Sequence, residues 1–103
     1  MTTRATDYGR WPELGQVLGG YLHQDWDLEA DSPDDALRLA RVESEEQVSA
    51  AIEQINELLA GNQSDAELTE IVERMSAGYS PILDGWTIRA WLVHAKALLG
   101  GEA

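Results

Sequence analysis

Apolar residues recur at spacings of three and four through most of this chain, and helix-starting and helix-stopping residues bracket each stripe. Val48, Ala51, Ile52, Ile55, Leu58 and Leu59 form the longest stripe. Ser44 stands ahead of it as an N-cap, with Gln47 at the capping-box spacing, and Gly61-Asn62 stops it. Ser64 with Glu67 repeats the device before Leu68, Ile71, Val72 and Met75, and Gly78 is the expected stop. Ser32-Pro33-Asp34-Asp35 opens a shorter helix ending near Val42, with acids in its positive first turn. Pro12 begins a helix carrying Leu14, Val17, Leu18, Tyr21 and Leu22; Gly19-Gly20 weakens it by about 1 kcal/mol per glycine, which a close backbone contact there would explain. The last helix is expected from Asp84 or Gly85 to Leu99, with Ile88, Trp91, Leu92, Ala95, Leu98 and Leu99 facing inward.

No segment alternates with period two, so no strand is expected. The prediction is an all-α fold, a compact single-domain bundle of about five short helices whose short connections make sequential helices near-antiparallel neighbours. The helical domain spans residues 11–99, the first ten residues are expected to be loose, and 100–103 form a tail closed off by Gly100-Gly101. At 103 residues the chain can bury roughly 65% of its unfolded surface, enough for one core without staples. Four tryptophans supply much of that core. Trp91 lies inside an apolar stripe, and Trp11 before Pro12 is placed to pack back as a hydrophobic staple. Trp26 and Trp86 stand at helix boundaries, read as structural aromatics with partner contact as the alternative.

Charge narrows the function. The formal net charge is −12, and residues 25 to 73 hold 15 acids against two bases, Arg38 and Arg41. The rest of the chain is close to neutral. Such a surface repels nucleic acid and anionic membranes, and suits either solvated helix faces or a basic partner. No apolar run reaches membrane-span length and no apolar stretch follows Met1-Thr2-Thr3-Arg4, so a cytoplasmic protein is the expectation.

Catalytic chemistry finds little purchase. Cysteine is absent, which removes disulfides, Cys-ligated zinc and thiol nucleophiles. No serine sits in a Gly-x-Ser-x-Gly elbow, and the single lysine, Lys96, belongs to no phosphate loop. His23, Asp25 and Asp27 offer metal-ligating atoms at a spacing matching no standard motif. The simpler account has His23 capping the first helix, with Asp25 or Asp27 bonding nearby N–H groups. No enzyme activity, cofactor or metal is expected.

The run Pro12-Glu13-Leu14, then Leu18-Gly19-Gly20-Tyr21-Leu22-His23-Gln24-Asp25-Trp26-Asp27-Leu28, resembles the opening of the bacterial immunity proteins of contact-dependent growth inhibition and related polymorphic toxin systems. Asp34-Asp35-Ala36, Gly78-Tyr79-x-Pro81 and Trp91-Leu92 extend the resemblance across residues 11–99, while 37–51 fits no part of it. The resemblance implies an antitoxin that binds a cognate toxin C-terminal domain; a monomer in a one-to-one complex is the expectation, with the four tryptophans leaving room for a dimer patch. It also implies nuclease toxins, including ribonucleases of ribonuclease A-like fold, whose basic clefts an acidic protein complements. Tyr21, His23, Gln24, Asp25, Trp26 and Trp91 are then expected to hold the fold. Toxin contact is expected at the exposed acids Asp27, Glu29, Asp31, Asp34 and Asp35, and secondly at Glu46, Glu53 and Glu57 on one stripe of the third helix. The competing readings are an acidic helical adaptor for a non-toxin partner and a small enzyme with a carboxylate site.

Overall fold

Helix α1 (Pro12–Tyr21) begins without a side-chain cap of its own, because the N-cap residue is Trp11. The acceptor comes from another helix. Gln54 Oε1 takes the Leu14 N–H at 2.9 Å, and Gln54 Nε2 donates to Glu13 Oε1 at 2.5 Å. One of the orphan N–H groups of a helix start is thereby satisfied by a tertiary contact. Trp11 is buried at the cap itself, one position after the one a staple occupies.

The computed structural model describes residues 11–22, 31–76 and 79–101. After α1 come α2 (Pro33–Glu43), α3 (Glu45–Ala60), α4 (Asp65–Met75) and α5 (Ile88–Leu99), and the described residues contain no strand. The fold is all-α, as the periodicity predicts. Helix starts follow the serines in two of three cases. Ser32 Oγ accepts from the Asp35 N–H, and Ser64 with Glu67 forms a complete capping box, which typically contributes about 1 kcal/mol.

Ser44 is the exception. It is the single residue between α2 and α3, and its side chain makes no cap bond. Its hydroxyl lies 3.0 Å from the Tyr21 hydroxyl, which also donates to Glu43 at 3.0 Å. Two helix ends must share this residue, so its side chain turns to α1 rather than to its own helix.

Two further boundaries differ from expectation. Helix α4 ends at Met75, where the Ser76 hydroxyl lies 2.8 Å from the Val72 carbonyl and 3.1 Å from that of Tyr79. Gly78, the expected stop, lies outside the described residues. Helix α5 starts at Ile88, not at Asp84 or Gly85, because Thr87 is the N-cap and accepts from the Ala90 N–H. Residues 81–85 form a turn instead, in which Gly85 adopts φ +90°.

The inward stripes meet in one core that includes Leu14, Leu18, Leu37, Ile55, Leu58, Leu68, Trp91 and Leu92. Helix α1 packs most broadly on α3, and the paired residues run in opposite directions: Glu13 and Leu14 with Gln54, Gln16 with Gln47, Tyr21 with Ser44. Sequential neighbours are therefore not always the packing partners. Helix α4 packs on α1 and α5 rather than on α3. Gly19 faces the Met75 carbonyl so closely that an added Cβ would stand 3.1 Å from it, so a glycine that weakens α1 lets α4 approach. Gly101, at φ +78°, ends α5 and donates its N–H to the Leu98 carbonyl.

Candidate functional site

The acids singled out by sequence divide into two groups with different surroundings. At the start of α2, Asp31 is exposed, while Asp34 and Asp35 already have cationic or ionisable partners. Asp35 accepts from Arg38 Nη1 at 2.9 Å, one turn along the same helix. Asp34 Oδ2 lies 3.0 Å from His94 Nε2 of α5, an ion pair when the imidazole is protonated and a hydrogen bond otherwise. The Trp86 ring stacks against His94, with centroids 4.6 Å apart and planes inclined by 23°. The start of α2, the middle of α5 and the segment leading into α5 are thus clasped together.

Glu46, Glu53 and Glu57 form the second group. All three are exposed on α3, away from the core stripe of Val48, Ala51, Ile55 and Leu58. None has a hydrogen-bond or ion-pair partner among the described residues. Helix geometry places them in one row, since seven and four residues are two turns and one turn. Glu57 also borders a shallow polar groove with Glu67 and Gln63. Asp27 and Glu29 lie outside the described residues, as do His23, Gln24, Asp25 and Trp26 of the expected structural motif. Of that motif the described residues include Tyr21, joined to Glu43 and Ser44, and Trp91, which is fully buried.

The third feature is the segment between the last two helices. Between α4 and α5 the chain makes a tight turn: the Asp84 and Trp86 N–H groups donate to the Pro81 carbonyl at 3.0 and 3.1 Å, and the Gly85 N–H to that of Ile82 at 3.1 Å. Tyr79 braces it from below. Its ring meets Trp91 at 5.9 Å between centroids, and its hydroxyl donates to Asp84 Oδ2 at 3.0 Å. The Ser80 hydroxyl donates to Glu73 of α4 at 2.5 Å. Ile82 and Leu83 face outward from this scaffold, Leu83 with 90% of its surface exposed. An open groove of about 610 Å³ runs between the turn and the outer face of α4.

Burial, the bond to Asp84, the charge of Asp84 and then that of Asp34 raise the Tyr79 phenol well above its ordinary value of 10.0, against a smaller opposing effect from Trp91. The phenol therefore holds its proton more tightly in the fold than in the unfolded chain. The resulting stabilisation is fully present below about pH 10, then falls as pH rises and the unfolded phenol ionises first. Tyr79→Phe removes that dependence. Denaturant unfolding of both proteins between about pH 9 and 11.5 should show a steeper loss in the wild type; parallel curves would contradict it.

Among the described residues no group of three or more His, Asp or Glu side chains is placed to hold a metal ion, and no helix is long and apolar enough to cross a membrane. A small helical domain that offers solvent a row of uncompensated carboxylates and a braced apolar turn has the surface features that a protein-binding module uses. The model of the CdiI immunity protein family matches residues 10–99, and the chain belongs to that family. It is an immunity protein, which neutralises a contact-dependent growth inhibition toxin by binding it. No curated protein and no solved structure matches the chain.

Proposed function

We propose that the toxin is a nuclease, and that this protein blocks it in the cytoplasm, as a monomer in a one-to-one complex, by setting carboxylates against the basic cleft that holds nucleic acid. The observation that carries this reading is the row Glu46, Glu53 and Glu57, exposed on α3 with no cationic partner among the described residues. It stands within a stretch of 15 acids and two bases. Unpaired carboxylates on one rigid helix match the lysines and arginines that a nuclease directs at phosphates. Asp31 adds exposed charge at the start of α2, and Asp27 and Glu29 precede it in the chain. Asp34 and Asp35, held by His94 and Arg38, serve the clasp and the helix first and contribute less to the toxin. The protein acts by occupancy rather than turnover.

The test is direct. The toxin domain encoded beside this chain is purified and given RNA and duplex DNA, alone and with one equivalent of the immunity protein. Cleavage of one substrate, abolished at one equivalent, is the expected result. A toxin that cleaves neither overturns the nuclease reading, one that still cleaves when fully bound overturns the block of its cleft, and both leave the family membership untouched.

A further inference from the structure

The turn at 81–85 exposes two adjacent large apolar side chains with no folding reason to do so. Single exposed leucines are ordinary on protein surfaces. Here Ile82 and Leu83 are neighbours, Leu83 is the most exposed large apolar side chain among the described residues, and both border the groove of about 610 Å³. The backbone that carries them is fixed by the hydrogen bonds to Pro81 and Ile82, by buried Pro81, and by the Tyr79–Asp84 and Ser80–Glu73 bonds. A pre-ordered apolar tip loses little freedom on binding, which is the property of an energetic anchor.

The rim of the groove points to its occupant. Glu73 and Asp84 are exposed, and the partners found for them are the neutral hydroxyls of Ser80 and Tyr79. Hydroxyl donors orient a carboxylate without cancelling its charge. Both negative charges are therefore left for an outside cation, unlike those of Asp35, Glu70 and Asp65, which face Arg38, Arg74 and Arg89. An apolar tip between two uncompensated carboxylates fits a surface with an apolar pocket flanked by lysine or arginine.

We propose that the 81–85 turn is the apolar anchor of the toxin interface. Leu83 enters a pocket on the cognate toxin domain, Ile82 seals its edge, and Glu73 and Asp84 pair with basic side chains around it. This rests on the protein's binding a basic toxin, and it supplies the dry centre that charge pairs alone lack.

Binding kinetics of the purified toxin domain to wild type, Leu83→Ala and Leu83→Lys test it, with thermal melts of each variant alongside. A side chain so exposed leaves the melts unchanged. Dissociation is expected to be about tenfold faster for Leu83→Ala and about a hundredfold faster for Leu83→Lys, with association nearly constant. Complexes of both variants within twofold of wild type would overturn the anchor while leaving toxin binding intact. Absence of binding by the wild type would sink the basic-toxin reading, and the anchor with it. Self-association of the wild type in the ultracentrifuge, lost in Leu83→Lys while toxin binding is unaltered, would assign the turn to a second copy of this chain and equally overturn the proposal.

Discussion

Trp91→Ala should remove about 3–5 kcal/mol of folding stability, the largest loss expected from any single side chain here. Trp91 is 1% exposed at the inner face of α5, the helix that contacts α2, α3 and α4. Truncation deletes the largest fully buried side chain and leaves a cavity that the rigid helices around it cannot close. Domains of this size have about 5–15 kcal/mol in total, so the variant retains only a fraction of its margin. Function should suffer as well, at a distance. Tyr79 rests on the Trp91 ring and bonds Asp84, so the floor beneath the 81–85 turn goes with the indole. Urea unfolding followed by far-ultraviolet circular dichroism is the appropriate measurement, since fluorescence would change with the lost fluorophore. A loss below about 1.5 kcal/mol would mean that this ring is not the centre of the core.

How far the sequence carries the fold depends on the range of the interaction concerned. The stripes of α3 and α4 are local, repeat every three or four residues, and carry their own start and stop signals at Ser64, Glu67 and Gly61. They are legible, and so is the closure of α5 at Gly100-Gly101. Ser44 has the same local signature as Ser64, yet its hydroxyl goes to Tyr21, 23 residues away. The reason is tertiary: α1 lies beside that corner and competes for the side chain. The start of α5 is misread for a different reason. Gly85 is the last glycine before the stripe that opens at Ile88, but Thr87 holds the cap and accepts from the Ala90 N–H. The contacts around the acids are the least legible. Asp34 meets His94 across 60 residues, and no local pattern distinguishes a carboxylate clasped in this way from one left free, such as Glu53. Exposure on helix faces could be read from periodicity; the presence or absence of a cationic partner required the packed structure.

That difference between clasped and free carboxylates sets the second large effect. Replacing Glu46, Glu53 and Glu57 together by lysine adds two charges at each site and moves the formal net charge from −12 to −6. Association with the toxin at low salt should slow by about a hundredfold, within the range that electrostatic steering spans. The gap from wild type should close toward 1 M salt, where the screening length falls to about 3 Å. Folding should barely register the change, because no described partner is lost. The one cost is at Glu46, whose lysine opposes the positive first turn of α3, at about 0.3–1 kcal/mol. Leu83→Ala acts on the other rate constant, so the two perturbations separate cleanly in stopped-flow and dissociation experiments. The row on α3 and the turn before α5 share no side chain, and their effects on the binding free energy should add when the variants are combined. A triple-lysine protein that associates at the wild-type rate in low salt would show that this row is a solvated helix face. The steering charge would then belong to the acids ahead of α2 and to the rim formed by Glu73 and Asp84, where the same measurement on Glu73→Gln and Asp84→Asn would find it.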